Sequence, residues 1–289
     1  MSDRTLGVIG GSGIYDLPGL LDRKEVLVET PFGKPSDALI TGTIEGVRMA
    51  FLPRHGRGHR LAPNELPFRA NMHAMKQLGM ECVLGISAVG SMKAELEPGH
   101  FVLVDQFLDR TRGRTAESSF FGDGCVAHAH FADPVWEPLR RLALRAARNA
   151  GATAHDGGTY VCMEGPHFST RAESRLYRSW GVDVIGMTNL QEAKLAREAE
   201  IAYATVALVT DYDCWHEAEG DVDVSKVLAV LRKNADLARR TVVEAARLLA
   251  AGEPIGAKGS MQHAIMTSPE AISADARRRL QLLIQDYLG

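Results

Sequence analysis

Hydrophobic positions along this chain follow two alternating periods. Short apolar, β-branched runs read as strands: Thr5–Gly10, Glu25–Val28, Ala38–Thr41, Val47–Leu52, Cys82–Ile86, His100–Asp105, Tyr160–Met163 and Val182–Met187. The longest such run starts at Ala204 and carries no charge until Asp211, the pattern of a strand buried on both faces of a parallel sheet. Between the strands, apolar residues recur at helical spacing. A helix is expected from Asn64–Pro67 to about Leu78, stopped by Gly79. Asp133-Pro134 reads as an N-cap with proline at N1, opening a helix with Leu139, Leu142, Ala146 and Ala147 on one face. Thr170 with Glu173 forms a capping box, and Asn189 with Glu192 resembles a second. Asp223 caps a long helix ending at Gly252, and Ser268-Pro269 starts a last amphipathic helix with Leu280, Leu283 and Tyr287. Strands alternating with helices, without a break in composition, predict one α/β domain around a mixed, largely parallel sheet. Residues 1–252 form that domain, and 253–289 a linker and helix packed on it or at an interface.

Polar chemistry collects where the strands end. The first runs into Gly10-Gly-Ser-Gly13, whose glycines let backbone N–H groups approach an anion and whose Ser12 adds a donor; its spacing is not that of a dinucleotide fingerprint. The fourth ends in Arg54-His55 within a cationic loop reaching Arg60, in which a planar guanidinium suits phosphate. Ser87 follows the Cys82–Ile86 run, and Thr188 follows Val182–Met187. The longest run ends in Asp211-Tyr-Asp213. If the chain stays extended there, both carboxylates face one side at the carboxyl end of the strand, where open α/β sheets bind ligands. The other reading is a loop in which Asp211 caps a turn and Asp213 faces water.

Composition narrows the classes. The 289 residues are 45% hydrophobic and 24% charged, enough for a sizeable core. A net charge of −3, and no aromatics among the charges of Arg54–Arg60, argue against nucleic acid as partner. No run approaches a membrane span, and no signal-peptide core follows Met1, so the cytoplasm is expected. Cys82, Cys125, Cys162 and Cys214 lack metal or redox spacing and read as reduced thiols; neither a metal nor a cofactor is expected.

The motifs together resemble the trimeric purine nucleoside phosphorylase family, most closely its methylthioadenosine phosphorylase branch. The likeness rests on Gly10–Gly13, Pro53–Gly56, Asn64, Ser87-Ala88, Glu164–Phe168, Arg171–Ser174, Val184–Thr188 and Thr210–Trp215, and spans roughly residues 5–250. The resemblance implies a single domain with a twisted, barrel-like mixed sheet surrounded by helices, and phosphorolysis of S-methyl-5'-thioadenosine with phosphate as co-substrate. It implies Ser12, Arg54, His55, Ser87, Ala88 and Thr188 as phosphate ligands. It implies Met187 against the ribose, and Phe168, Ser169 and Ile185 in the base pocket. Asp211 and Asp213 meet N7 and the 6-amino group. Val224 and Val227 wall the 5'-methylthio group, and His128 reaches a neighbouring subunit's 5' pocket in a homotrimer. Three positions depart from the family's usual residues: Ser12 for Thr, His167 for Arg and Gly186 for Asn.

These residue types suit the chemistry. Phosphorolysis leaves positive charge on the sugar and negative charge on the purine, so a held phosphate and a proton donor at N7 both lower the barrier. Burial and a second carboxylate each raise the pKa of an aspartate, which makes it a better donor near neutrality. Two other classes stay open on sequence alone: a nucleotide-binding regulator that has lost turnover, and an RNA-binding module using Arg54–Arg60.

Overall fold

The computed structural model describes residues 4–11, 14, 17, 19–216, 223–252 and 255–288. Strands β1 (Thr5–Gly10), β2 (Leu21–Val26), β3 (Leu39–Ile44) and β4 (Val47–Pro53) precede helix α1 (Phe68–Gln77). Next come β5 (Cys82–Ser91), β6 (Phe101–Leu103), β7 (Gln106–Arg110) and α2 (Glu137–Asn149). After β8 (Ala154–Asp156) and β9 (Thr159–Met163) follow α3 (Arg171–Ser179), β10 (Val184–Gly186) and α4 (Asn189–Glu198). The chain closes with β11 (Ala202–Asp211), α5 (Val224–Ala251) and α6 (Ala274–Ile284).

All eleven strands join one mixed sheet in the order β2-β3-β4-β1-β5-β10-β9-β7, with β11 paired to β5 and β6, and β8 to β6. Strand β5 is the branch point. It lies parallel to β1 over its first part and to β11 from Cys82 to Gly90, and its last residues, Gly90 and Ser91, also pair antiparallel with β10. Such a strand is enclosed by neighbours, so its sequence must be apolar or small, and it is: Cys82, Val83, Leu84 and Ile86 are essentially inaccessible. Helices α2 and α5 bury Leu139, Leu142, Ala146, Val242 and Leu249 in one core with β11. On the other side α1, α4 and the C-terminal α6 share a second core, to which the tail contributes Ile272, Ala276, Leu280, Leu283 and Ile284.

Several boundaries differ from the sequence expectation, each for a tertiary reason. Strand β5 continues past Ile86 to Ser91 because β11 and β10 pair with it there, so Ser87 and Ala88 sit inside a strand. Strand β2 starts earlier than expected, at Leu21, as an exposed, charged edge paired only with β3. Strand β7 has no counterpart among the expected strands; its half-exposed pattern is too polar to signal one. Helix α2 starts at Glu137 with Trp136 as N-cap, not at Asp133-Pro134. Ser268-Pro269 opens only a single 3-10 turn, and α6 starts after Ser273, whose Oγ accepts from the Ala276 N–H. The Thr170–Glu173 capping box and the Asp223 cap form as expected. The Asn189–Glu192 box does not, because Thr188 is the N-cap and Glu192 has another partner.

Candidate active site

At the carboxyl end of β11 the two aspartates meet, though not as an extended strand would place them. The register with β5 slips between Val209 and Asp211, and Asp213 takes a left-handed φ of 50°. The turn brings the Asp213 backbone N–H to Asp211 Oδ1 at 2.8 Å, while Thr210 Oγ1 donates to Asp211 Oδ2 at 2.7 Å. Asp213 is 3% exposed and Asp211 half-buried. Burial raises both carboxyls above the usual aspartate range. The Thr210 and Asp213 donors oppose the shift at Asp211, and the charge of Asp211 adds to it at Asp213. Ser174 Oγ, fully buried on the first turn of α3, lies near Asp213 without reaching hydrogen-bond geometry.

Gly90 of β5 makes this approach possible. A Cβ there would come within 2.9 Å of Asp211 Oδ1 and 3.0 Å of Ile185 Cγ2. Ile185, fully buried, therefore shares a wall with both aspartates. Cys214 Sγ lies 3.4 Å from the Ser169 carbonyl, which draws the Glu164–Thr170 turn to the same spot. Trp215 braces the loop, donating from Nε1 to the Ser91 carbonyl at 2.7 Å beneath the Arg178 guanidinium, 3.7 Å from its ring centre. Phe168, in the same Glu164–Thr170 turn, is 43% exposed.

The second cluster gathers where β4, β5 and α4 converge. Arg54 is buried, and most of its fork is taken up by protein acceptors. Nε and Nη2 grip Glu192 at 2.5 and 3.1 Å, and Nη1 and Nη2 donate to the carbonyls of Ile86 and Ile9. Four of its five N–H groups are thus used, leaving one on Nη1 without a partner among the described residues. Ser87 Oγ hydrogen-bonds Asn189 Oδ1 at the first turn of α4, and Thr188, 5% exposed, caps that helix without a side-chain hydrogen bond. The leading N–H groups of α4 therefore lack a side-chain cap and carry the positive end of the helix dipole. His55 stacks on His59 at 4.2 Å, and its Nδ1 faces the Leu61 carbonyl at 2.8 Å, so Nδ1 carries the hydrogen. Burial pulls the ring down to about 4, so it is neutral at pH 7 and presents Nε2 as an acceptor, not as a further donor. The rest of the cationic loop turns outward: Arg57 pairs with Glu25 and Asp37.

Met187 lies between the clusters, half-buried, its Sδ 2.6 Å from where a Gly165 Cβ would be. Sequence reasoning missed Arg114, whose guanidinium is buried and binds the Met187 carbonyl, the Glu164 carbonyl and Glu164 Oε1. An arginine inside a long irregular segment offers no periodicity to mark it. The Gly186 departure has a local cause: a Cβ there would fall 2.0 Å from the buried Tyr160 hydroxyl.

Other expected site residues are not drawn into these clusters. Val224 is 57% exposed and Val227 half-buried at the start of α5. His128 is exposed, fixed only by its backbone N–H to the Ala264 carbonyl. Ser12 lies outside the described residues. Among the described residues no three His, Cys, Asp or Glu side chains are arranged to hold a metal ion, and no helix is long and apolar enough to cross a membrane.

Residues 5–247 match the model of the phosphorylase superfamily. This chain belongs to that superfamily. Within the phosphorylase superfamily it is 53% identical to the S-methyl-5'-thioadenosine phosphorylase of Geobacter sulfurreducens, over 99% of this chain and 100% of that protein. It is 56% identical to that of Gloeobacter violaceus, over 98% and 95%. Among solved structures, a methylthioadenosine phosphorylase from an antarctic soil metagenomic library superimposes with a TM-score of 0.92 at 47% identity, covering 98% and 99% of the two chains. The Schistosoma mansoni methylthioadenosine phosphorylase in complex with adenine gives 0.81 at 38%, covering 86% and 93%. The likeness includes the C-terminal helix, since the first of these structures matches nearly the whole chain.

Proposed function

We propose that this protein catalyses phosphorolysis of S-methyl-5'-thioadenosine to adenine and S-methyl-5-thio-α-D-ribose 1-phosphate. The observation that carries the reading is the carboxyl pair at the end of β11, Asp213 buried and Asp211 half-buried, set against Gly90 of β5 three strand residues from Ser87. A phosphate oxygen attacks C1' as the C1'–N9 bond breaks, and the bonding pair leaves with the purine. A proton reaches N7 from one of the two aspartates, whose raised pKa values suit a donor. Electrostatic stabilisation comes from the helix α4 N-terminus, the Thr188 hydroxyl and the remaining Arg54 N–H around phosphate. An ionised carboxylate accepts from the adenine 6-amino group, and would meet the hypoxanthine carbonyl acceptor to acceptor. Phe168, Ser169 and Ile185 form the base pocket, Met187 the ribose floor, and Ser12 with Ala88 the rest of the phosphate site.

The reaction uses phosphate as co-substrate and neither metal nor cofactor. The active assembly is a homotrimer in which His128 completes a neighbour's 5' pocket beside Val224 and Val227. That arrangement accounts for an exposed histidine and an exposed valine that the single chain leaves uncovered. The protein works in the cytoplasm, and residues 253–289 act as a linker and C-terminal helix packed on the domain of 1–252.

The test is release of the purine base, adenine from methylthioadenosine and adenosine and hypoxanthine from methylthioinosine, each with and without phosphate. Phosphate-dependent release, fastest from methylthioadenosine, is expected. Equal release in phosphate-free buffer would make the protein a hydrolase, and preference for methylthioinosine would overturn the assignment of the aspartates.

A further inference from the structure

The polar groups beneath the anion cluster form a closed hydrogen-bond chain whose direction is fixed from one end. Arg54 can only donate, so both oxygens of Glu192 accept from it. Tyr203 Oη donates its single hydrogen to Glu192 Oε2 at 2.7 Å. It must then accept from Asn189 Nδ2 at 2.8 Å and Thr205 Oγ1 at 3.2 Å. Asn189 Nδ2 also lies 3.2 Å from Glu192 Oε2, an atom with no hydrogen to give. These two acceptors fix the orientation of the Asn189 amide, and its Oδ1 has to face Ser87. Ser87 Oγ therefore donates its only hydrogen to Asn189. Glu192, Asn189, Tyr203 and Thr205 are all essentially buried, and Gly85 keeps room for them, since a Cβ there would lie 2.1 Å from Tyr203 Oη. Water cannot easily relieve or reverse the chain.

Ser87 itself is half-buried on β5, and what it has left to offer is lone pairs. We infer that Ser87 meets the anionic co-substrate as a hydrogen-bond acceptor, so that the site selects an oxyanion still bearing a proton over one bearing none. Monohydrogen phosphate and hydrogen arsenate qualify; sulfate, of the same charge and shape, does not. Asn189 and Glu192 are then positioning residues: they hold the Ser87 hydroxyl hydrogen away from the anion. A site built around one hydrogen bond rejects an analogue that lacks it, because the site's own group is left unpaired. The inference rests on the phosphorolysis reading and specifies how that site tells anions apart.

The experiment measures methylthioadenosine cleavage with phosphate varied, sulfate as competitor, and arsenate in place of phosphate. The parent is expected to accept arsenate and to bind sulfate roughly tenfold or more weaker than phosphate, the worth of one hydrogen bond. In Ser87→Ala the phosphate KM should rise about tenfold while the sulfate Ki moves less than about twofold, because only the protonated anion loses a partner. In Asn189→Ala the Ser87 hydrogen is released, and the sulfate Ki should fall toward the phosphate KM. A parent sulfate Ki within about twofold of the phosphate KM would overturn the inference, even if neither variant folds. So would a Ser87→Ala change that weakens both anions alike, the signature of a donor. Absence of any phosphate-dependent cleavage would instead sink the reading on which the inference rests.

Discussion

Replacing Glu192 by Gln separates the structural account of Arg54 from the one its residue type suggests. If the guanidinium faced the pocket, Glu192 would be a bystander and its amide a mild change. In the structure the two side chains are 2% and 4% exposed and joined at 2.5 and 3.1 Å. Oε2 of Glu192 accepts from three donors, Arg54 Nη2, Tyr203 Oη and Asn189 Nδ2. A glutamine would keep its carbonyl at that position, since turning its NH₂ there would oppose three donors. The NH₂ then confronts Arg54 Nε–H donor to donor, and the guanidinium keeps a buried charge without a counter-ion. Breaking a buried pair in this way costs about 3–5 kcal/mol. At about 2–4 °C per kcal/mol for a chain of this size class, the melting temperature should fall by roughly 6–20 °C. Differential scanning calorimetry of Glu192→Gln beside the parent, at matched phosphate, reads this directly. A fall of less than about 3 °C would refute the closed network and the uncharged character it gives the anion cluster.

Three further outcomes are expected. Asp213→Asn replaces one acceptor oxygen by a donor, so the ratio of methylthioinosine to methylthioadenosine turnover should rise about ten- to a hundredfold; ratios within about twofold of the parent, in both Asp213→Asn and Asp211→Asn, would make the pair structural. Glu198, which accepts from Ser119 Oγ and the Phe120 N–H, is pushed up to about 7 by burial. Its folded-state pKa lies above the unfolded one, so its contribution is complete below the unfolded value near 4.5 and is lost as pH rises through about 7. The melting temperature of the parent should therefore decline from pH 5 to 8 relative to Glu198→Gln, and parallel profiles would show that the carboxyl does not titrate in this window. Removing the tail from residue 257 onward uncovers the second core where Met261, Ile272, Leu280 and Ile284 are now sealed, so the truncated protein should melt markedly lower or aggregate; an unchanged melt would make the tail a loose appendage.

The sequence showed the elements that local chemistry decides and hid those that partners decide. Apolar runs marked β1, β4, β9 and β11 because their burial is written in every residue, and the Thr170–Glu173 box marked α3 because both partners lie three positions apart. Strand β7 was hidden because pairing with β9, not its own pattern, makes it a strand. The candidate site was legible as residue types: Arg54, Thr188, Asp211 and Asp213 stand where strands end, whereas Ser87 lies within β5. Their orientation was not legible. That Arg54 would turn to Glu192, 138 positions away, and that a left-handed Asp213 would bond back to Asp211 both follow from three-dimensional neighbours. The residues that enforce those orientations, Asn189, Tyr203 and Arg114, look in sequence like ordinary helix, strand and loop positions.

One strand accounts for how the two clusters become one site. Ser87 belongs to the anion cluster and Gly90 to the carboxylate cluster, and both are on β5. Three residues of strand span about 10 Å, the room a ribose needs between a phosphate beneath its C1' and a base in front of two carboxyls. Pairing with β11 from Ser87 to Gly90, and with β10 at Gly90 and Ser91, holds β5 along this length. The same β10 leads through Met187 into Thr188 and α4, so the sugar floor and the anion-binding helix end arrive from the strand that also pairs with Gly90. In the proposed reaction, the separation of nucleophile and proton donor would therefore be set by backbone pairing and not by flexible side chains. That is the form of positioning that favours an in-line displacement at C1', because neither end of the substrate can drift without breaking the sheet.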